Sequence, residues 1–441
     1  MTAVLLALLA LQQPTDAGAP GRPCRVAIDS VGRTGRQQEV GSGIYNYFAG
    51  GGVWARCEGT SSRLTADSVA WYATVQRLDL VGHVRIRDDV MHLDAAVTRY
   101  FTKEERLEAQ RDVVAVNRRT GSVLKGPNLT YLRAAQGIRD TTEMRASSRP
   151  TIEYRGTADS TEPYVVVADR VRMHGDSRMW AGGQVTVDRS DLAARADSMT
   201  MDNVAGLGVL VGRPRVEGKG ERAYALTGVR IELGLDSSEV RLVKALGRGE
   251  ATGEEWRLTA DTIHLGLAEQ KLQQTLAWGD SLRPRAVSTK QTVQGDSLVL
   301  DTPGEILTEL RAFGRALSTS KRDTAAADLD WIAGDTLVAR FVQVPDTARG
   351  GDATRSEIRE LVARGAARSL THMYDNGPAT GPNGQRKEGP DINYSRGTSI
   401  AVTLKGDRID RVTVAGGADG VHLEKLPPRP PDTTRAAAAK P

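Results

Sequence analysis

Aromatic residues are scarce: phenylalanine, tryptophan and tyrosine together make up 5% of the 441 residues. So few large rings argue against a compact globule with one broad centre. Blocks of like charge are also missing. Lysine and arginine are spread along the chain and the net charge is only +4, a weak basis for binding nucleic acid. No stretch is long and apolar enough for a transmembrane helix, which needs about 20 such residues. What is abundant is glycine, with 46 residues, and glycine suits a chain with many tight corners and a thin core.

Residues 4–11 form a short apolar run, and Thr15-Asp16-Ala17 follows with a small residue at a plausible cleavage point. The pattern fits residues 1–17 as an export signal, although no lysine or arginine precedes the run. Export places the chain in an oxidising compartment. There Cys24 and Cys57 could close a disulfide around the glycine-rich segment between them, or they could stay as two thiols. Cys24 follows Gly21-Arg22-Pro23, which does not resemble a lipidation site.

Two short signatures alternate along the chain. The first is a small residue, then Asp, then usually Ser or Thr. It occurs at Ala66-Asp67-Ser68, Ala196-Asp197-Ser198, Ala260-Asp261-Thr262, Gly295-Asp296-Ser297 and Gly334-Asp335-Thr336. Looser copies centre on Asp94, Asp169 and Asp407. The second is one or two residues, mostly apolar, ahead of Gly, as at Gly82, Gly212, Gly247, Gly279, Gly314, Gly365 and Gly416. The step from Asp67 to Gly82 equals that from Asp197 to Gly212, and the step from Asp261 to Gly279 equals that from Asp296 to Gly314. Asp carboxylates accept bonds from turn N–H groups, and Gly permits sharp corners. Both signatures therefore read as turns between short strands.

The segments between them alternate apolar and polar residues, as in Leu78-Asp79-Leu80, Val84-Arg85-Ile86-Arg87 and Ile409-Asp410-Arg411-Val412-Thr413-Val414. That period of two puts one face inward and one in water. Residues 103–110 and 356–367 could each turn helical, but both also fit the strand repeat. A polar stretch at 134–163, with Pro150 and Pro163, is expected to join two repeat blocks. The organisation read from the sequence is therefore a glycine-rich segment at 18–62, one β block at 63–155 and further repeats at 160–424. Polar loops occupy 345–398, with 375–390 the clearest, and a disordered tail follows at 425–441.

The chain lacks the groupings that chemistry needs. Its six histidines, His83, His92, His174, His264, His372 and His422, show no metal-ligand spacing and pair with no cysteine. There is no nucleophile elbow and no phosphate-binding loop. Asp88 and Asp89 are neighbours on a strand and point to opposite faces, whereas a glycosidase needs two carboxylates roughly 5–10 Å apart on one site. The expectation is a protein that is not an enzyme and needs no metal or cofactor.

Residues 64–132 carry the most specific pattern. Ala66-Asp67 is followed by Leu80-Val81-Gly82-His83-Val84, then Leu93-Asp94-Ala95, the strand Val113-Val114-Ala115-Val116, and the hairpin Gly121 to Leu124-Lys125-Gly126. This order resembles the OstA-like, or LptA-type, family of periplasmic lipopolysaccharide transport proteins, known from the organic solvent tolerance-like N-terminal domain. The closing repeats, through Gly406 and Val414-Ala415-Gly416-Gly417, are similar to the ends of long members. The chain is much longer than the shortest members.

The resemblance implies an all-β fold, an elongated antiparallel β-jellyroll or β-taco stack of repeated strands, here in two blocks. It implies an apolar slot between two sheets that holds acyl chains of lipopolysaccharide or a related lipid in transit to the outer membrane. The inward candidates are Val69, Trp71, Leu78, Leu80, Val84, Ile86, Leu93, Val97 and Leu107, which as core residues could equally touch only one another. Open strand edges imply pairing with other Lpt-like β-jellyroll proteins. The alternative reading is a repeat-built envelope or surface adhesion protein with no lipid ligand.

Overall fold

The computed structural model describes residues 24–155, 162–220, 223–236, 239–254, 256–321, 329–345, 354–373, 390–406 and 408–423. The expected signal at 1–17, the tail at 425–441, Asp407 and nearly all of the 375–390 loop lie outside these. The described chain is almost entirely antiparallel β, with 29 strands and one short 3-10 turn, Pro303–Glu305. It divides into two compact units, residues 1–219 with 230–241 and residues 220–229 with 242–441.

The first unit opens with long strands, β1 (Val26–Gly41), β2 (Ile44–Cys57), β3 (Arg63–Tyr72), β4 (Arg77–Arg87), β5 (Met91–Phe101), β6 (Arg106–Asn117) and β7 (Val123–Leu132). Each pairs with the next. Beyond β7 some layers split in two. β8 (Glu143–Ser147) and β9 (Thr151–Tyr154) share β7, and β10 (Tyr164–Val167) and β11 (Arg170–His174) pair with β9 and β8. The long β12 (Arg178–Asp188) spans both, and β13 (Leu192–Asp202) follows it. β14 (Leu207–Val211) and β15 (Arg215–Gly218) then share β13.

The second unit contains β16 (Tyr224–Thr227), while β17 (Arg230–Asp236) returns to the first and pairs with β14. β18 (Glu239–Thr252) pairs through its later residues with β16 and with β19 (Trp256–Ala268). β20 (Lys271–Trp278) and β21 (Arg285–Ser288) share β19, and they are covered by β23 (Ser297–Asp301) and β22 (Gln291–Gln294). β24 (Glu309–Ser320), β25 (Asp330–Pro345), β26 (Thr354–Met373) and β27 (Asp391–Lys405) are again long, and β28 (Arg408–Ala415) and β29 (Asp419–Leu423) share β27.

The repeated Asp and Gly do not make separate turns between strands. They meet at one corner, either inside two long paired strands or at the break where one of the two splits into shorter strands. Asp67 lies inside β3 and Gly82 inside β4, where the register slips: Thr65 faces Arg85, but Ser68 faces Val81. The glycine strand thus carries one extra residue, a β-bulge that bends it. Gly82 has φ 77°, a left-handed conformation that disfavours any Cβ, and a side chain there would strike the Asp67 carboxylate. The same pairing joins Asp169 to Gly183 and Asp197 to Gly212 in the first unit. In the second it joins Asp261 to Gly279, Asp296 to Gly314 and Asp335 to Gly365. Three expected repeats differ, and at Gly247 the residue met is Val229 rather than an Asp. Asp94 does not sit at a corner but bonds Arg87 at 2.6 Å, and its layer bends at Arg111 and Asp112, both left-handed. At the last corner Thr398 takes the Asp position against Gly416, with its N–H on the Gly416 carbonyl at 2.8 Å.

Each bent strand therefore has two arms. In the first unit one arm buries Leu64, Ile86, Leu93, Ala115, Leu124 and Ile152, and the other buries Val69, Leu78, Tyr100, Leu107 and Tyr131. The polar stretch at 134–163 does not break the first unit, because β8 and β9 within it pair with β7 on the two arms and then with β11 and β10. The division between units falls later, near residues 219–242. Neither segment that could turn helical does so: Arg106 begins β6, and residues 356–367 belong to β26.

Candidate functional site: interior, mouth and outer trough

In the first unit the apolar interior lies between the two arms. Val69, Leu78, Leu80, Val84, Ile86, Leu93 and Leu107 are all buried there, as expected. Trp71 lies on the same face but is half-buried, at the far end of β3 opposite Leu78 and Tyr47. Val97 is a correction. Inward positions run Leu93, Ala95, Thr98, Tyr100, because β5 changes phase at its corner. Val97 therefore pairs with exposed Val81 on the outer side, and Thr98 takes the inward place, fully buried with no bond to its hydroxyl. Four buried methionines, Met173, Met179, Met199 and Met201, also line this second arm, and the sequence reading passed over them. Their bonds rotate freely and their sulfur is polarisable, so they form an adaptable apolar surface.

The free rims of the arms form a mouth, and side chains bridge it. Cys24 and Cys57 form a disulfide at the rim of the first arm. The Cys24 N–H donates to Glu105 Oε1 at 2.5 Å, and Tyr100 on the second arm donates its hydroxyl to Glu105 Oε2 at 2.6 Å. Arg133 stands 3.6 Å from the same carboxylate, which has no solvent exposure. Burial, then the Glu105 charge, push the Tyr100 phenol well above its ordinary range, so it stays a donor. Farther along, Asn117 at the end of β6 donates to Asp176 at 2.6 Å in the turn between β11 and β12, which also takes Arg119. Tyr154 meets Asn203, and burial pushes that phenol up to about 12 against the Asn203 hydrogen bond. A void of about 30 Å³ remains behind the Glu105 bridge, between Leu64, Met91, Tyr100 and Leu107. Glu105 bears φ 47°, a hairpin conformation that no strand alternation reveals. Its burial among Tyr100 and Arg133 depends on contacts that sequence spacing does not announce.

A second concavity lies on the outer face of the second arm. A trough of about 630 Å³ crosses β6, β7, β8, β11, β12 and β13. One wall carries Arg145, Arg172 and Trp180 in cross-strand register, and the other carries Asn128, Ser147 and Arg170. Between the walls Ala146 and Ala181 turn inward, leaving mostly backbone as the floor. Glu143 receives Arg145 at 2.5 Å and Arg172 at 2.7 Å. Burial disfavours the Glu143 carboxylate, but the two arginines outweigh it and hold its pKa below the usual range. The Arg172 guanidinium lies 5.5 Å from the centre of the Trp180 ring.

Among the described residues no cluster of three or more His, Cys, Asp or Glu could hold a metal ion, and no helix is long and apolar enough to cross a membrane. His83 bonds Asp67 at 2.8 Å, His372 bonds Asp330 at 2.8 Å, and His264 packs edge-on against Trp278. Compared with known proteins, the chain matches no family model and no curated protein.

Proposed function

We propose that this protein is an exported, periplasmic carrier of an acylated lipid, lipopolysaccharide or a relative, moving toward the outer membrane as a bridge or chaperone. One observation carries the reading. The apolar interior lies between two arms whose described links across the mouth are a buried carboxylate and side-chain hydrogen bonds, with a disulfide at one rim. Such links can part without breaking a strand ladder, so the arms can separate and expose adaptable methionines to an acyl chain. The resemblance of residues 64–132 to the lipopolysaccharide transport family supports the same reading. Exposed end strands support contact with similar β-proteins. Among the described residues β1 pairs only with β2, and β28 and β29 only with β27.

The packed interior favours a second reading, a repeat-built envelope or adhesion protein without a lipid. Mass spectrometry of protein purified from its native envelope separates the two. The carrier reading expects co-purified acyl-chain lipid, and it expects depletion to halt lipopolysaccharide export. Cysteines at Asn117 and Asp176, oxidised to lock the mouth, are expected to abolish lipid loading, and reduction is expected to restore it. Protein that carries no acyl lipid, in cells whose export is intact after depletion, leaves only the second reading.

A further inference from the structure

We propose that the outer trough of the first unit binds an anionic oligosaccharide. The site faces away from the apolar interior, so it stands whether or not that interior takes lipid. Its walls combine what an acidic sugar chain needs. Trp180 is 37% exposed and offers a flat apolar surface to the C–H face of a pyranose. The wall opposite presents the guanidinium of Arg170, which makes no ion pair among the described residues. Arg145 and Arg172 share the single carboxylate of Glu143, so a positive charge remains there too. The bidentate fork of arginine matches a carboxylate or phosphate on a sugar. Asn128 and Ser147 add an amide and a hydroxyl to the Arg170 wall.

The shape fits as well. Next to Arg170 in the ladder stands Gly182, whose φ is not left-handed and whose added Cβ would meet Arg170 Nε at an ordinary 3.4 Å. Neither backbone geometry nor close packing demands glycine there, and its missing side chain keeps the trough open beside the guanidinium. Neighbouring strands repeat every ~4.8 Å, close to the length of one pyranose ring. Six strands span roughly 24 Å, so a chain of about six sugars lies across them with one ring per strand. A single aromatic platform suits a sugar chain better than single-stranded nucleic acid, which uses several stacking rings. The three guanidinium groups in the walls do not suit a bare acyl chain.

The test uses the full chain with four probes: hexagalacturonate, maltohexaose, the deacylated phosphorylated saccharide of lipopolysaccharide, and a six-nucleotide single strand. Calorimetry and tryptophan fluorescence are expected to show an acidic saccharide binding at least about tenfold tighter than maltohexaose, with quenching that disappears in Trp180→Leu. Arg170→Ala, on an exposed side chain, is expected to weaken binding about tenfold or more at an unchanged melting temperature. Arg213→Ala, on a side chain 89% exposed and outside the trough, is expected to change nothing. Tighter binding of the lipopolysaccharide saccharide identifies a lipid-linked source, and tighter binding of hexagalacturonate a free acidic polymer. The proposal falls if maltohexaose binds as well as the acidic chains, if folded Arg170→Ala binds like the parent, or if the oligonucleotide binds tightest.

Discussion

The strand β5 in the first unit and the strands β28 and β29 in the second have comparable alternation but opposite fates. On β5 the alternating residues are buried at Met91, Leu93, Ala95, Thr98 and Tyr100. On β29 every residue is exposed, with Val421 at 54% and Leu423 at 56%. On β28 Ile409 is 38% exposed. The difference is not in the strands. β5 has a paired strand on each side and an opposing arm across the interior, whereas among the described residues β28 and β29 each pair on one side only. Alternation prepares a face for burial, and the neighbouring layer completes it.

The largest expected effect tests that contrast directly. Leu93 has no exposed surface, so Leu93→Ala is expected to destabilise the first unit by about 2–5 kcal/mol through lost transfer energy and a cavity. Leu423→Ala is expected to cost less than about 0.5 kcal/mol. Urea denaturation of both variants measures the gap, and equal losses would mean that β29 is covered. Next, Cys24→Ser with Cys57→Ser is expected to cost about 2–4 kcal/mol, because the bond closes a loop of sequence separation 33. The same urea series gives this value, and a loss confined to the terminal strands would place the bond's effect away from the mouth.

Corners sharpen the comparison further. Gly82→Ala combines φ 77° with a collision against Asp67, for an expected loss of about 1–3 kcal/mol. Gly417 has φ 63° but open space around it, so Gly417→Ala is expected to cost only the backbone strain, about 1 kcal/mol. Asp67→Ala in the Gly82→Ala background is expected to recover part of the loss in thermal melts, and no recovery would remove the carboxylate from the account.

Smaller effects involve ion pairs, the first of them in the acid limb. The folded pKa of Glu143 is lowered, so its contribution is fully present above the unfolded value and is lost as pH falls through the folded one. Stability of the parent is expected to drop below about pH 4, and Glu143→Gln to flatten that drop by about 1 kcal/mol or less. The exposed pair Arg396 and Asp419, at 2.6 Å on β27 and β29, is expected to give less than about 0.5 kcal/mol when Asp419→Asn removes it.

Much of the fold can be read from the residues themselves. The alternating strands, the constant Asp-to-Gly spacing and the inward Leu78, Leu80, Val84, Ile86 and Leu93 all appear in the sequence. The candidate sites are less visible. Trp180, Arg145 and Arg170 come together only because Arg170 and Arg172 in β11 pair with β8 on one edge and β12 on the other. Their spacing along the chain carries no such signal.

By itself the sequence determines that this chain is built of strands with one apolar face and that Asp and Gly recur at their corners. Local backbone preference and the two-residue side-chain period are properties of short segments, so they need no partner to be read. Tertiary structure alone decides that six of the repeated Asp residues meet a Gly on the neighbouring strand, and that β5 changes phase at its corner so that Thr98, not Val97, turns inward. It also decides that Glu105 links two rims and that three arginines wall a trough. Bulge registers and buried charges depend on what lies across the ladder and across the mouth, and those neighbours are distant in the chain.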